Sequence, residues 1–315
     1  MRIKKLLTSG FILTLGVAIN SSVAQETTPS EEPKPPKHFD RVLIIVLENQ
    51  SYVAAKKDSY LRQLADEGAE FTNFRGVGHP SYPNYLGMIS GSTFGIHGIL
   101  GDKQMNFPDD SHHKTVGDLL DWRNYAEDYP SSPSPYLAPT FRDRTHNYAR
   151  KHVPFLSFVR IQQHQYQNVV SVDPKDPHNS FVTDIANARK DPKDPIYKPL
   201  PQYILYTPNL DDDGHDTNLA TASKWLKTFL ETWVPRDARK NMLIVVTFDE
   251  GEPPEAATNH IYTVFLGDMI KKKQKIDHRY DHYSVLKTIE DNFGLDDKPL
   301  NVGDDKAEII SDVWN

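Results

Sequence analysis

Two apolar runs in this chain end in acids. RVLIIVL, Arg41 to Leu47, is followed by Glu48 and Asn49; NMLIVVTF, residues 241–248, is followed by Asp249 and Glu250. Three carboxylates and an amide gathered at one place repel strongly unless a cation sits among them. Oxygen and nitrogen ligands without sulfur suit magnesium, calcium, manganese or zinc. A lone acid after a strand more often caps the next helix or pairs with an arginine. Its repetition after two core-like strands favours a metal.

A third stretch, GHPSYPNYLGMISGS at residues 78–92, places Ser81 two residues after His79 and just ahead of a helical pattern. By default such a serine is a helix cap. A helix start also offers unpaired N–H groups and a partial positive field, which suit a phosphate. Pro83 falls in the first turn, where its missing N–H costs little. A capping serine has no need of a neighbouring histidine, whereas a nucleophilic serine needs activation. A divalent ion on its oxygen lowers the hydroxyl pKa and supplies it.

DDDGHDTN, residues 211–218, adds His215 and Asp216. Its acid spacing starts like a calcium loop, but Ala222 stands where that loop needs glutamate, which excludes it. His215 and Asp216 are instead candidates to hold a phosphate or join a metal shell. His152, His260 and His282 are further candidates, though a single histidine is by default a hydrogen-bonded structural residue. His112 and His113 lie in a polar loop and receive no role.

The elements around these residues alternate. Unalternating apolar runs read as strands buried on both faces: residues 41–47, 201–209, 241–248 and 261–268, joined by AEFTNFRGV and VPFLSFVRI. Helical periodicity marks SYLRQLADE before Gly68, PNYLGMIS before Gly91, KTVGDLLDWRNYAEDY before Pro130, NLATASKWLKTFLETWV, and HYSVLKTIEDNF before Gly294. Alternating strands and helices imply an α/β fold, a three-layer α/β/α sandwich on a largely parallel sheet. In such sheets ligands collect beyond the carboxyl ends of the strands, where Glu48, Asn49, Asp249 and Glu250 fall.

The chain has 315 residues, no cysteine and a formal net charge of −7. Without cysteine there are no disulfides, thiolate metal sites or cysteine nucleophiles. The acidic balance argues against nucleic acid as a polymeric partner, though not against a small anionic substrate. MRIKK, an apolar core and SSVA have the form of a signal peptide over residues 1–24, with no second run long enough to span a membrane. Its removal would take the charge to about −10. A proline-rich, disordered leader is expected over residues 25–37 and one domain over 38–315, exported to the periplasm or the medium. The sequence leaves the oligomeric state open.

VLIIVLENQSY, HPSYPNYLGMISGS, WRNYAEDYP, KHVPF, TPNLDDDGHD, VVTFDEGE, NHIYTVFLGD and HYSVLKTIEDNFGL, in this order, resemble the phosphoesterase family of secreted acid phosphatases and phospholipases C, within the alkaline-phosphatase-like superfamily. The resemblance spans nearly all of the expected mature chain. It implies hydrolysis of phosphate esters with Ser81 as nucleophile and a shell of Glu48, Asn49, Ser81, Asp249 and Glu250 around one divalent metal. One ion rather than two is implied because Glu250 stands where the superfamily's second zinc site uses a histidine. His215 and His282 become candidate acids, and His79, Asn84, His152 and Asp216 candidate substrate contacts. HPSYPNY favours the phosphomonoesterase branch; a phosphodiesterase or phospholipase C, and a non-catalytic binding protein on the same fold, are the alternatives.

Overall fold

The computed structural model describes residues 36–98, 105–130, 147–295 and 297–315. The expected signal peptide, most of the leader and SSPSPYLAPT, residues 131–140, which the sequence marks as a proline-rich loop, lie outside these. In chain order the elements are β1 (Arg41–Leu47), α1 (Tyr52–Ala55), α2 (Ser59–Glu67), β2 (Ala69–Arg75), α3 (Ser81–Ser90), β3 (Trp122–Glu127), α4 (Val159–His164), β4 (Val169–Val172), α5 (Ser180–Ala188), β5 (Tyr203–Thr207), α6 (Leu219–Thr228), β6 (Met242–Phe248), β7 (His260–Leu266), β8 (Gln274–Ile276), β9 (Tyr280–Asp281), α7 (His282–Asn292) and α8 (Val302–Lys306).

The strands form one sheet in the order β4-β3-β5-β1-β6-β7-β2-β8, with β9 also on β2. β1 lies at its middle, parallel to β5 on one side and β6 on the other. β7 runs against both of its neighbours, so the sheet is largely parallel. Every side chain of β5 and β6 is buried, as their unalternating apolar sequences require of strands covered on both faces. α7 packs on both α3 and α8, and α2 packs on α6. Side-chain caps begin the longer helices other than α3: Asp58 on α2, Asn179 on α5, Asn218 on α6 and Asp281 on α7.

Two expected elements differ. The helix expected through residues 114–129 is a single 3-10 turn, Val116–Asp118, followed by β3. Parallel pairing of β3 with both β4 and β5 overrides the local helical periodicity. The strand expected in VPFLSFVRI is a 3-10 turn, Pro154–Ser157, followed by α4. Pro154 has no N–H to give a ladder and favours the first turn of a helix. The outer strand is β4 instead, residues 169–172.

Candidate active site

The register of the sheet sets the site. Leu47 pairs with Phe248, so Glu48 and Asp249 leave β1 and β6 side by side. The Asp249 N–H donates to the Leu47 carbonyl at 3.0 Å, and the Glu48 N–H donates to the Asp213 carbonyl at 2.9 Å, tying in the loop after β5. Asn49 turns into the left-handed region (φ 55°) and its N–H donates to Asp249 Oδ1 at 3.1 Å. Asparagine tolerates that conformation better than most residues. Glu48 and Asp249 are fully buried and Glu250 nearly so.

Ser81 is the first residue of α3, a helix buried along its whole length, and Pro80 occupies the cap position. The serine makes no cap bond. Its hydroxyl faces Glu48 Oε2 at 2.9 Å and Glu250 Oε1 at 3.2 Å, and it reaches Asp249 as well. The default capping role is therefore replaced: three acids from two strand ends converge on one alcohol at the head of a helix.

This gathering is electrostatically costly in the absence of a counter-charge. Burial, then the neighbouring Asp249 and Asp213, pushes the Glu48 carboxyl far above the usual range. Burial also pushes Asp213 well up, and burial followed by Glu250 pushes Asp249 up to about 7. The Lys151 ammonium opposes the shift at both Glu48 and Asp213. Asn49 Oδ1, Asp213 Oδ2 and Asp249 Oδ2 are buried without a hydrogen-bond partner among the described residues. Ligand atoms of Glu48, His152 and Asp213 also lie within 4.8 Å of one another. Unpartnered oxygens, crowded carboxylates and an imidazole fit a divalent cation, and Glu48 belongs to both groups of ligands.

The histidines divide into different jobs. His152 is buried, with Nε2 3.3 Å from Glu48 Oε1 and Nδ1 3.6 Å from Asp213 Oδ2. It thus lies within the carboxylate group. His215 pairs through Nδ1 with Asp216 Oδ1 at 2.6 Å, and its ring centre is 6.1 Å from that of His152. His79 is half-exposed; Nδ1 pairs with Glu250 Oε2 and Nε2 donates to the Ala256 carbonyl. The bond to Glu250 raises its pKa. His79 therefore neutralises an acid of the site.

Two further candidates, His282 and Asn84, are held by backbone groups. His282 is fully buried and its Nε2 donates to the Asp249 carbonyl at 2.8 Å, while burial lowers its pKa to about 4. A neutral ring spending its N–H on a backbone carbonyl is an anchor for the acidic turn rather than an acid. Asn84 accepts from the Val77 and Gly78 N–H groups and donates to the Gly78 carbonyl. Its amide holds the approach to His79 and Ser81 in shape.

Sequence reasoning missed Asp213, Lys151 and Tyr85. Gly214, at φ 94°, makes the turn that separates Asp213 from His215 and Asp216. A glycine directly after the third of three aspartates was the available signal. Lys151 carries none beyond its place beside His152. Tyr85 follows Ser81 by one helical turn, and an aromatic at that spacing reads as core.

The fold defines an alkaline-phosphatase-like α/β protein. A solved protein of the alkaline phosphatase superfamily from Vibrio parahaemolyticus superimposes with a TM-score of 0.53 at 13% identity, over 87% of this chain and 72% of that one. A sulfatase from Pseudoalteromonas gives 0.51 at 10% identity, over 87% and 71%. Residues 49–296 match the phosphoesterase family, and the chain belongs to it. It is 33% identical over 290 residues to a probable acid phosphatase of Kluyveromyces lactis, covering 88% of this chain and 64% of that one. An acid phosphatase of Aspergillus fumigatus is also 33% identical, with 88% and 59% covered. The phosphatidylinositol-3-phosphatase of Mycobacterium tuberculosis is 29% identical, with 88% and 83% covered. The chain thus spans less than two thirds of the length of these fungal relatives.

Proposed function

We propose that the protein is an exported, metal-dependent phosphatase that hydrolyses phosphate monoesters through a phosphoserine on Ser81. The observation that carries the reading is the Ser81 hydroxyl, held at the head of a buried helix between Glu48 and Glu250. Family membership and the acid phosphatases among the relatives support the reaction class. The form of residues 1–24 supports export, and no described helix is long and apolar enough to cross a membrane.

One divalent ion would be held by Glu48, Asn49, Ser81, Asp249 and Glu250, and when bound it supplies positive charge that favours the serine alkoxide and the phosphoryl oxygens. The chain's own groups do the rest. Glu48 Oε2 takes the Ser81 proton as Oγ attacks phosphorus. The leading N–H groups of α3 face the phosphoryl oxygens. His215, oriented by Asp216, gives a proton to the departing ester oxygen, so the alcohol leaves neutral. Water then attacks the phosphoserine, His215 takes a proton from that water, Glu48 returns its proton to the departing Ser81 Oγ, and phosphate leaves with Ser81 restored. Spontaneous phosphomonoester hydrolysis is so slow that stabilisation on the order of 20 kcal/mol is needed, which positioned charge is best able to provide.

The test is elemental analysis of the purified protein together with a panel of phosphomonoesters and phosphodiesters across pH, on wild type and Ser81→Ala. The reading expects a bound divalent metal, a preference for monoesters, and turnover lost in the variant with fold and metal retained. Wild-type rates in Ser81→Ala would overturn it.

A further inference from the structure

We propose that Tyr85 is the residue that aims Glu48 at the nucleophile, a positioning residue acting through the carboxylate rather than on the substrate. This rests on the reading of Ser81 and Glu48 given above. Ser81 and Tyr85 are four residues apart on α3, so they lie one turn apart on the same face. Both donate to one carboxylate that arrives from β1. The Ser81 hydroxyl donates to Glu48 Oε2 at 2.9 Å, and the Tyr85 hydroxyl donates to Glu48 Oε1 at 2.5 Å. A single helix therefore takes hold of both oxygens, and the carboxyl group cannot turn about its last bond without breaking one of the two contacts.

The same tyrosine fixes the neighbour on the far side. Its ring stacks on His152, with centroids 4.9 Å apart and planes at 14°. His152 Nε2 is itself 3.3 Å from Glu48 Oε1. Tyr85 is fully buried, and burial together with the surrounding carboxylates keeps its hydroxyl protonated. Without it, Oε1 would be left to His152 alone, and the carboxyl could rotate towards the histidine and Asp213, withdrawing Oε2 from Ser81.

Groups that orient a metal-binding carboxylate typically change metal affinity or activity by 10–100-fold when removed. Tyr85→Phe deletes the hydroxyl and keeps the ring on His152. Tyr203→Phe is the control: its buried hydroxyl donates to the Met88 carbonyl, on the same helix but away from Glu48.

The experiment measures Mn2+ affinity by calorimetry, and kcat and KM for p-nitrophenyl phosphate at saturating Mn2+, on the full chain. For Tyr85→Phe we expect Mn2+ binding about 10–100-fold weaker and kcat reduced about 10-fold or more, with KM changed by less than about twofold. Tyr203→Phe should match wild type in all three. The volume-matched Tyr85→4-fluorophenylalanine, which fills the space without a donor, should show the same losses as Tyr85→Phe. Wild-type Mn2+ affinity and kcat in either Tyr85 variant would overturn the proposal, as would an equal loss in Tyr203→Phe. If wild type binds no Mn2+, or Ser81→Ala keeps its activity, the metal–serine reading has failed instead. If those two controls hold and the Tyr85 variants are silent, only the positioning role has failed.

Discussion

Two buried glutamates end neighbouring parts of the same sheet, and they are not equivalent. Glu127 closes β3 and Glu48 follows β1; both are buried, and burial raises the pKa of each well above the usual range. Glu127 has an acidic neighbour, Asp212, and donors on both of its oxygens. Tyr206 and the Trp225 indole donate to Oε1 at 2.9 and 3.1 Å, and the Asn209 N–H donates to Oε2 at 3.0 Å. Glu48 also has two donors, Ser81 on Oε2 and Tyr85 on Oε1, but Asp249 and Asp213 crowd it, and buried oxygens of Asn49, Asp213 and Asp249 beside it lack partners among the described residues. A strand-end acid is therefore no sign of chemistry by itself. What separates the two is the surroundings: beside Glu48 several buried oxygens are left for a cation, and beside Glu127 none of the described carboxylate oxygens is left so.

The largest expected effect that tests this contrast is at the nucleophile. Ser81→Ala should reduce kcat by three or more powers of ten while metal content stays near wild type, measured by steady-state assay and elemental analysis. Asp249→Asn should lose both activity and stoichiometric metal, because it removes a carboxylate whose Oδ2 has no donor among the described residues. A chelator should do the same to wild type, with recovery on adding metal back.

His215→Ala should cost about 10²–10⁴ in kcat on alkyl phosphates and much less on p-nitrophenyl phosphate, whose leaving group needs no proton. An equal loss on both substrates would remove His215 from the acid role. Glu127→Gln marks the quiet side of the contrast. It should leave metal content and kcat close to wild type while lowering stability by about 1–3 kcal/mol, because an amide N–H would face existing donors. Chemical denaturation checks this; a loss of metal in Glu127→Gln would dissolve the distinction between the two acids.

The smallest effect is in the pH dependence of stability. Folding raises the Asp249 carboxyl to about 7, so the folded chain binds this proton more tightly than the unfolded one. Its contribution is present at low pH and is lost as pH rises from the ordinary carboxylate range towards 7. His282, lowered to about 4, works in the opposite sense, losing stability as pH falls from its ordinary value. A cation replaces the Asp249 proton, so the rise in melting temperature on adding metal should grow from pH 5 to pH 7. A flat or falling increment would contradict the placement of the ion.

Part of this was legible in the sequence for physical reasons. RVLIIVL and NMLIVVTF are apolar without alternation because β1 and β6 are covered on both faces, and that pattern located Glu48 and Asp249. Ser81 was legible because its spacing from His79 and Pro83 marks a helix start. Residues 122–127 carry a helical pattern that sheet pairing overrides, so β3 was hidden. Three successive aspartates give no sign of which one turns inward; Asp213 is buried and Asp211 exposed because of the turn at Gly214. Asn84 and His282 belong to the right motifs, but a motif does not reveal whether a polar side chain faces substrate or backbone. Both face backbone.

The most direct test is an anomalous-scattering map from crystals of the protein grown with Mn2+. The account predicts a strong peak bonded to Glu48, Asp249 and the Ser81 hydroxyl, absent from Asp249→Asn. A map with no peak there, or with Glu48 and Asp249 satisfied by water and side-chain donors alone, would contradict it.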